Sequence, residues 1–174
     1  MTGKKGQGIA VDFLCAALIF LLVLNATINL INSSNRSLAD KTLLNELNAK
    51  TGQTLDMLVR TEGIPGNWEE KTIDETAMVG LAKRDRVLDN EKASKLAEWA
   101  SVYRSGDYNK VRALILTGYD YYFRITSANG TVLKETGKPS QEIEEKMLAI
   151  TARRAVNFEG EEAIAIFTSY YPKA

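Results

Sequence analysis

The chain has 174 residues, with 22 basic side chains against 22 acidic ones and no histidine. That balance exerts no global pull toward nucleic acid, and without histidine the commonest general base and metal ligand is missing. The one cysteine, Cys15, allows neither a disulfide within the chain nor a cysteine zinc site.

Lys4 and Lys5 precede a run that is apolar except at Asp12. Phe13 to Leu24 is uninterrupted, and Ile28, Leu30 and Ile31 extend the run past Asn25 and Thr27. As a helix, Phe13 to Ile31 is about 28 Å long, close to the thickness of a bilayer core. Two lysines ahead of it with no acidic neighbour predict a cytoplasmic N-terminus and the remainder outside. Two general readings fit this segment. A cleaved secretory signal peptide has the right lysines and core, but Leu24 stands three residues before the candidate site where a small side chain is required. A plain signal anchor needs no cleavage at all.

Asn32 to Lys41 is polar and marks the exit from lipid. Leu44, Leu47, Thr51, Leu55 and Leu58 then follow helical spacing and predict an amphipathic stalk. Gly52 weakens it by about 1 kcal/mol relative to alanine. Glu62-Gly63-Ile64-Pro65-Gly66 supplies successive breakers, so the helix should end near Thr61. One helix over about residues 9–60 is expected, loosened around Asn32–Ser34.

Thr72 to Ala82 reads as irregular or briefly extended, with Val79, Leu81 and Ala82 in the core. Asp89 caps a helix expected from Asn90 to about Arg104, with Ala93, Leu96, Ala97, Ala100 and Tyr103 on one side. A second short helix starts at Asp107 and passes through Val111, Leu114 and Ile115. Tyr119 to Thr126 is aromatic and β-branched, and Ala128-Asn129-Gly130 turns it into a hairpin with Thr131-Val132-Leu133. Two last strands are expected over about Met147–Phe158 and Ala163–Tyr171. In the second, Ala163, Ala165 and Phe167 alternate with Ile164, Ile166 and Thr168, so neither face is polar. Both sheet faces are therefore expected to be covered, one of them by the stalk.

Candidate chemistry is sparse. Glu161-Glu162 and Glu144-Glu145 are adjacent pairs, and neighbours on a strand point to opposite faces, so they read as solvated turn charges. The same geometry separates Arg153 from Arg154, which beside Lys146 would otherwise suggest an anion site. Tyr119, Tyr121, Tyr122 and Phe123 could form an adhesive surface, but core packing with hydroxyls near the rim is expected for most of these rings. No phosphate-cradling loop, nucleophile elbow or metal-ligand cluster occurs, so the expectation is no enzyme and no cofactor. Asn-X-Ser/Thr sequons begin at Asn25, Asn32, Asn35 and Asn129. Asn25 falls within the apolar span, whereas Asn129 at a hairpin tip, with Asn32 and Asn35, is a candidate glycosylation site.

Lys4-Lys5-Gly6-Gln7, followed by an acid and an apolar helix, resembles the class III signal peptide of archaeal type IV pilin-like proteins. Gly63-Ile64-Pro65-Gly66-Asn67-Trp68 and Val79-Gly80-Leu81-Ala82 resemble stretches found in the ectodomains of that family. The resemblance implies cleavage by a prepilin-type peptidase between Gly6 and Gln7, with the helix retained as filament core. It also implies that Asp12 pairs with the new terminal amine of a neighbouring subunit and sets register. Counted from Gln7, Asp12 is sixth where the family has its acid fifth, and a cut after Gln7 restores the usual spacing.

The expected organisation is a cytoplasmic leader (1–6), a transmembrane and filament-core helix (7–31), an amphipathic stalk helix (32–61) and an extracellular head (62–174). The expected fold is α+β, a long N-terminal helix packed on an antiparallel sheet with two further short helices. As the resemblance implies, the partners are copies of itself or related pilins, the peptidase, an assembly platform and membrane lipid, with no nucleic acid. The cell-surface filament subunit stands against one alternative, an uncleaved single-pass protein with an extracellular binding or sensory domain.

Overall fold

The computed structural model describes residues 4–101, 107–115, 117–143 and 147–172, excepting the side chains of residues 4–12, 32–40 and 142. The chain forms an α+β fold that divides into two compact units, Met1–Asn45 and Glu46–Ala174, with the boundary inside the first helix. That helix, α1 (Lys4–Arg60), runs without interruption, so the loosening expected near Asn32–Ser34 does not occur. Its end falls where the breakers begin: Thr61 still donates its backbone N–H to Met57 at 3.1 Å, and Gly63 then takes φ 88°.

In the second unit, two short strands, β1 (Gly63–Ile64) and β2 (Met78–Val79), pair with each other. Between them lie 3-10 turns at Trp68–Glu70 and Ile73–Glu75; the second of these and β2 fall in the Thr72–Ala82 stretch expected to be irregular or briefly extended. A hairpin not anticipated from sequence follows, β3 (Ala82–Arg84) and β4 (Val87–Leu88). Helix α2 (Asn90–Trp99) is capped as expected, with Asp89 Oδ1 accepting from the Glu91 N–H at 2.8 Å. It ends at Trp99, short of the expected Arg104, with Ala100 as C-cap and Ser101, a poor helix former, following outside the helix. Tyr103 and Arg104 lie outside the described residues. Helix α3 spans Tyr108–Leu114.

The remaining strands are β5 (Asp120–Ser127), β6 (Val132–Gly137), β7 (Met147–Phe158) and β8 (Glu161–Pro172). They build a six-stranded sheet in the order β3-β4-β7-β8-β5-β6. All its pairings are antiparallel except the short parallel contact of β4 with the end of β7, at Val87–Asn157 and Leu88–Phe158. Among the described residues, ten positions of β7 therefore have a strand partner, β8, on one side only.

The period of two sorts the sheet into two unlike faces. On one, Tyr121, Phe123 and Ile125 of β5 lie beside Ala163, Ala165 and Phe167 of β8 and Val156 and Phe158 of β7, all buried. This face joins Leu55, Leu58 and Val59 of α1, Leu96 and Trp99 of α2, and Tyr108 and Val111 of α3 in one core. The stalk is tied down by polar contacts as well: Thr51 shares a 3.0 Å hydrogen bond with Tyr171. Arg154 grips Asp56 with two bonds of 2.8 and 2.9 Å. The expected helix-on-sheet packing is thus present.

The expectation that both faces are covered is corrected on the other side. There Ile166 and Tyr170 are buried, but Ala149, Thr151, Arg153 and Ala155 of β7 are exposed. Apolar Ile164 and Ile166 on β8 hid this: Ile166, on a strand in the middle of the sheet, is screened by flanking side chains without a second layer, while Ile164 is simply left exposed.

Candidate functional site

The first unit offers a surface that water disfavours. Phe13–Ile31 is 19 residues long with mean hydropathy 2.4, long and apolar enough to cross a membrane, and none of it is buried. Phe13 is 72% exposed and Leu30 72%, so large apolar side chains face outward all round the helix. The polar groups inside this stretch satisfy themselves. Thr27 Oγ1 donates to the Val23 carbonyl at 2.8 Å, and Asn29 Nδ2 donates to Asn25 Oδ1 at 2.7 Å. Such internal bonds lower the cost of placing hydroxyls and amides in hydrocarbon. Asn25 stays exposed on the helix surface, with its Oδ1 engaged by Asn29.

Gly6, Gln7 and Asp12 belong to α1 by backbone, but their side chains lie outside the described residues, as do those of Asn32 and Asn35. Asn129 is exposed on the β5–β6 turn, where its Oδ1 accepts the Thr131 N–H at 3.2 Å and Gly130 takes φ 88°. Of the paired charges, Glu161 and Glu162 are exposed at the start of β8, and Glu144, Glu145 and Lys146 lie outside the described residues. Arg153 and Arg154 do point apart: Arg154 binds Asp56 and Arg153 stands on the open face. The Arg154 guanidinium, hydrogen-bonded to Asp56, holds that carboxyl below the usual range.

The aromatic stretch divides as its spacing requires. Tyr121 is buried between Tyr108 and Phe167, each ring centroid 5.5 Å away, and burial pushes its hydroxyl pKa up. Tyr119 leans on Tyr171 at 4.5 Å. Tyr122 alone of these rings lies on the open face, donating its hydroxyl to Glu135 across the strand pair.

The two ectodomain stretches fold onto each other. The Trp68 ring is fully buried and its Nε1–H donates to the Gly80 carbonyl at 2.8 Å. Gly63, paired with Val79, sits under that ring; a Cβ there would come within 2.5 Å of the indole. A buried lysine closes the loop: Lys92 Nζ donates to the Glu62 and Gly66 carbonyls at 2.8 and 2.6 Å. Sequence reasoning missed Lys92, whose position next to Ala93 on the buried side of α2 was the available signal. These residues hold the junction between stalk and head and present no reactive group.

No family model matches the chain, and neither curated proteins nor solved structures provide a match.

Proposed function

We propose that this chain is a structural subunit of a cell-surface filament of the archaeal type IV pilin-like kind. The observation that supports it most is the uncovered apolar helix surface of Phe13–Ile31 immediately after Lys4-Lys5-Gly6-Gln7 and Asp12. Burying one large apolar side chain is worth about 1.5–3 kcal/mol, so a helix that exposes a dozen of them requires either lipid or other helices. A precursor in the membrane uses the first; a filament uses the second. Cleavage beside Gly6 or Gln7 creates an α-amino group one or two turns from Asp12. Pairing that amine with the carboxylate of a neighbour avoids the larger cost of burying either charge alone.

The alternative is an uncleaved single-pass protein whose head binds a ligand. N-terminal sequencing of the mature protein from its native membrane separates the two. A start at Gln7 or Gly8 is expected, whereas Met1 or Thr2 rules the filament reading out. Asp12→Ala is expected to insert into the membrane normally and to stop assembly; normal filaments from that variant would remove the proposed register role.

A further inference from the structure

The open face of the sheet carries a polar groove that neither the core nor the filament reading uses. Ile166 of β8 has Arg124 of β5 on one side and Arg153 of β7 on the other, all three in one cross-strand row. In the next row Thr168 lies between Tyr122 and Thr151, and in the row after that Tyr170 lies between Ala149 and Asp120, whose carboxylate is taken up by Arg112 and Lys138. With Ser140 as a further wall, these residues, Asp120 excepted, enclose a cavity of about 280 Å³. That is just below the range of about 300–1,000 Å³ typical of sites for drug-sized ligands, and suits something smaller.

The two arginines are unlike the others around them. Arg154 is held by Asp56 and Arg112 by Asp120, but no carboxylate lies within 4.0 Å of Arg124 or Arg153 among the described residues. Their Cα atoms are two strand spacings apart, about 10 Å. Each side chain is long enough for the two guanidinium forks to meet over Ile166, or to grip two edges of one small ligand. The two arginines face each other only across Ile166, so their charges share the groove without being a directly opposed pair. Glu135 stands opposite Arg124 and tempers its charge, yet its carboxylate takes the Tyr122 hydroxyl instead. Below the arginines, the Thr151 and Thr168 hydroxyls share one 2.9 Å hydrogen bond, which leaves the pair a further O–H to donate and lone pairs to accept. The buried Ile166 and Tyr170 give an apolar floor.

We propose that this groove binds a small acidic sugar. Arg124 and Arg153 take its carboxylate or sulfate, the threonine pair and Ser140 meet its hydroxyls, and its ring lies on Ile166 and Tyr170. Planar guanidinium forks match an oxyanion bidentately, and a row of hydroxyls beside them matches a polyol rather than a bare ion. The inference concerns the head alone and goes beyond the filament reading, since it holds whether or not the leader is cleaved.

The test is calorimetric titration of the full chain in neutral detergent at low salt, with glucuronate as probe and glucose as the uncharged control. Saturable binding of glucuronate is expected, with glucose weaker by roughly tenfold or more. Arg124→Gln and Arg153→Gln should each lower glucuronate affinity by a similar factor. Lys71→Gln, at an exposed position outside the sheet, should leave it unchanged. An unaltered urea midpoint shows that each variant is folded. No saturable binding, equal binding of glucose, or wild-type affinity in both arginine variants would overturn the proposal.

Discussion

Gly80 is where the packing of the head is least forgiving. A Cβ at this position would overlap the carbonyl and hydroxyl oxygens of Thr61 and come within 2.5 Å of the Gly63 nitrogen. None of these atoms is free to retreat. The Thr61 carbonyl accepts from Ala82 at 2.9 Å, the Thr61 hydroxyl donates to Met57 at 2.8 Å, and Gly63 is paired with Val79. Relief by moving the Gly80 side instead pulls its carbonyl from the buried Trp68 N–H. Overpacking typically costs about 1–3 kcal/mol, and one strained or lost hydrogen bond adds about 1 kcal/mol. Gly80→Ala is therefore expected to destabilise the head by about 3 kcal/mol, which for a unit of this size lowers Tm by about 12 °C. Tryptophan fluorescence reads the transition directly, because Trp68 and Trp99 pack with ring centroids 5.2 Å apart inside the core. Gly66→Ala is the control: its Cβ would meet only the Glu62 carboxylate end at 3.4 Å, a flexible side chain. Gly80→Ala melting within 2–3 °C of wild type (less than about 1 kcal/mol), or Gly66→Ala falling as far, would refute the reasoning.

Lys92→Met keeps the buried aliphatic stem but strips the Glu62 and Gly66 carbonyls of their shared donor. The expected loss is about 3 kcal/mol, measured as a lower urea midpoint at unchanged slope. Asp56→Asn removes the charge partner of Arg154 and carries a pH signature. The folded-state pKa of Asp56 is depressed by its Arg154 hydrogen bonds, so the stabilisation is present above the unfolded value and is lost as pH falls through the folded one. Both groups are about one-third exposed, 35% and 34%, so solvent screening limits the effect. At pH 7 the variant should be less stable by about 1 kcal/mol or less, and the gap to wild type should start to narrow near the unfolded value of about 4 and shrink further as pH falls toward the depressed folded one. A gap that does not narrow at all as pH is lowered from 7 through the unfolded value of about 4 and beyond would show that the pair's charge is not its source.

Much of this architecture is set by local chemistry and was legible as such. The apolar run of Phe13–Ile31 needs no partner to be recognised, and the limits of β7 follow from Met147 and the Glu159-Gly160 turn, where both residues take positive φ. Asp89 announces α2, and Gly63 with Pro65 ends α1, because caps and breakers act within one turn of the chain. What the tertiary structure alone decided depends on residues far apart in sequence. The β3–β4 hairpin gains its place by a parallel contact with β7, some seventy residues on, and its short strands have no period to read. Lys92 lost its solvent only because the Gly63–Gly66 loop closes over it. Arg153 is no nearer to Arg154 in function than its strand allows, yet it shares a row with Arg124 across an intervening strand. Adjacent residues on a strand diverge, while residues two strands apart converge. No pattern along the chain encodes which strands become neighbours, so the open face and its arginines appear only when the sheet is assembled.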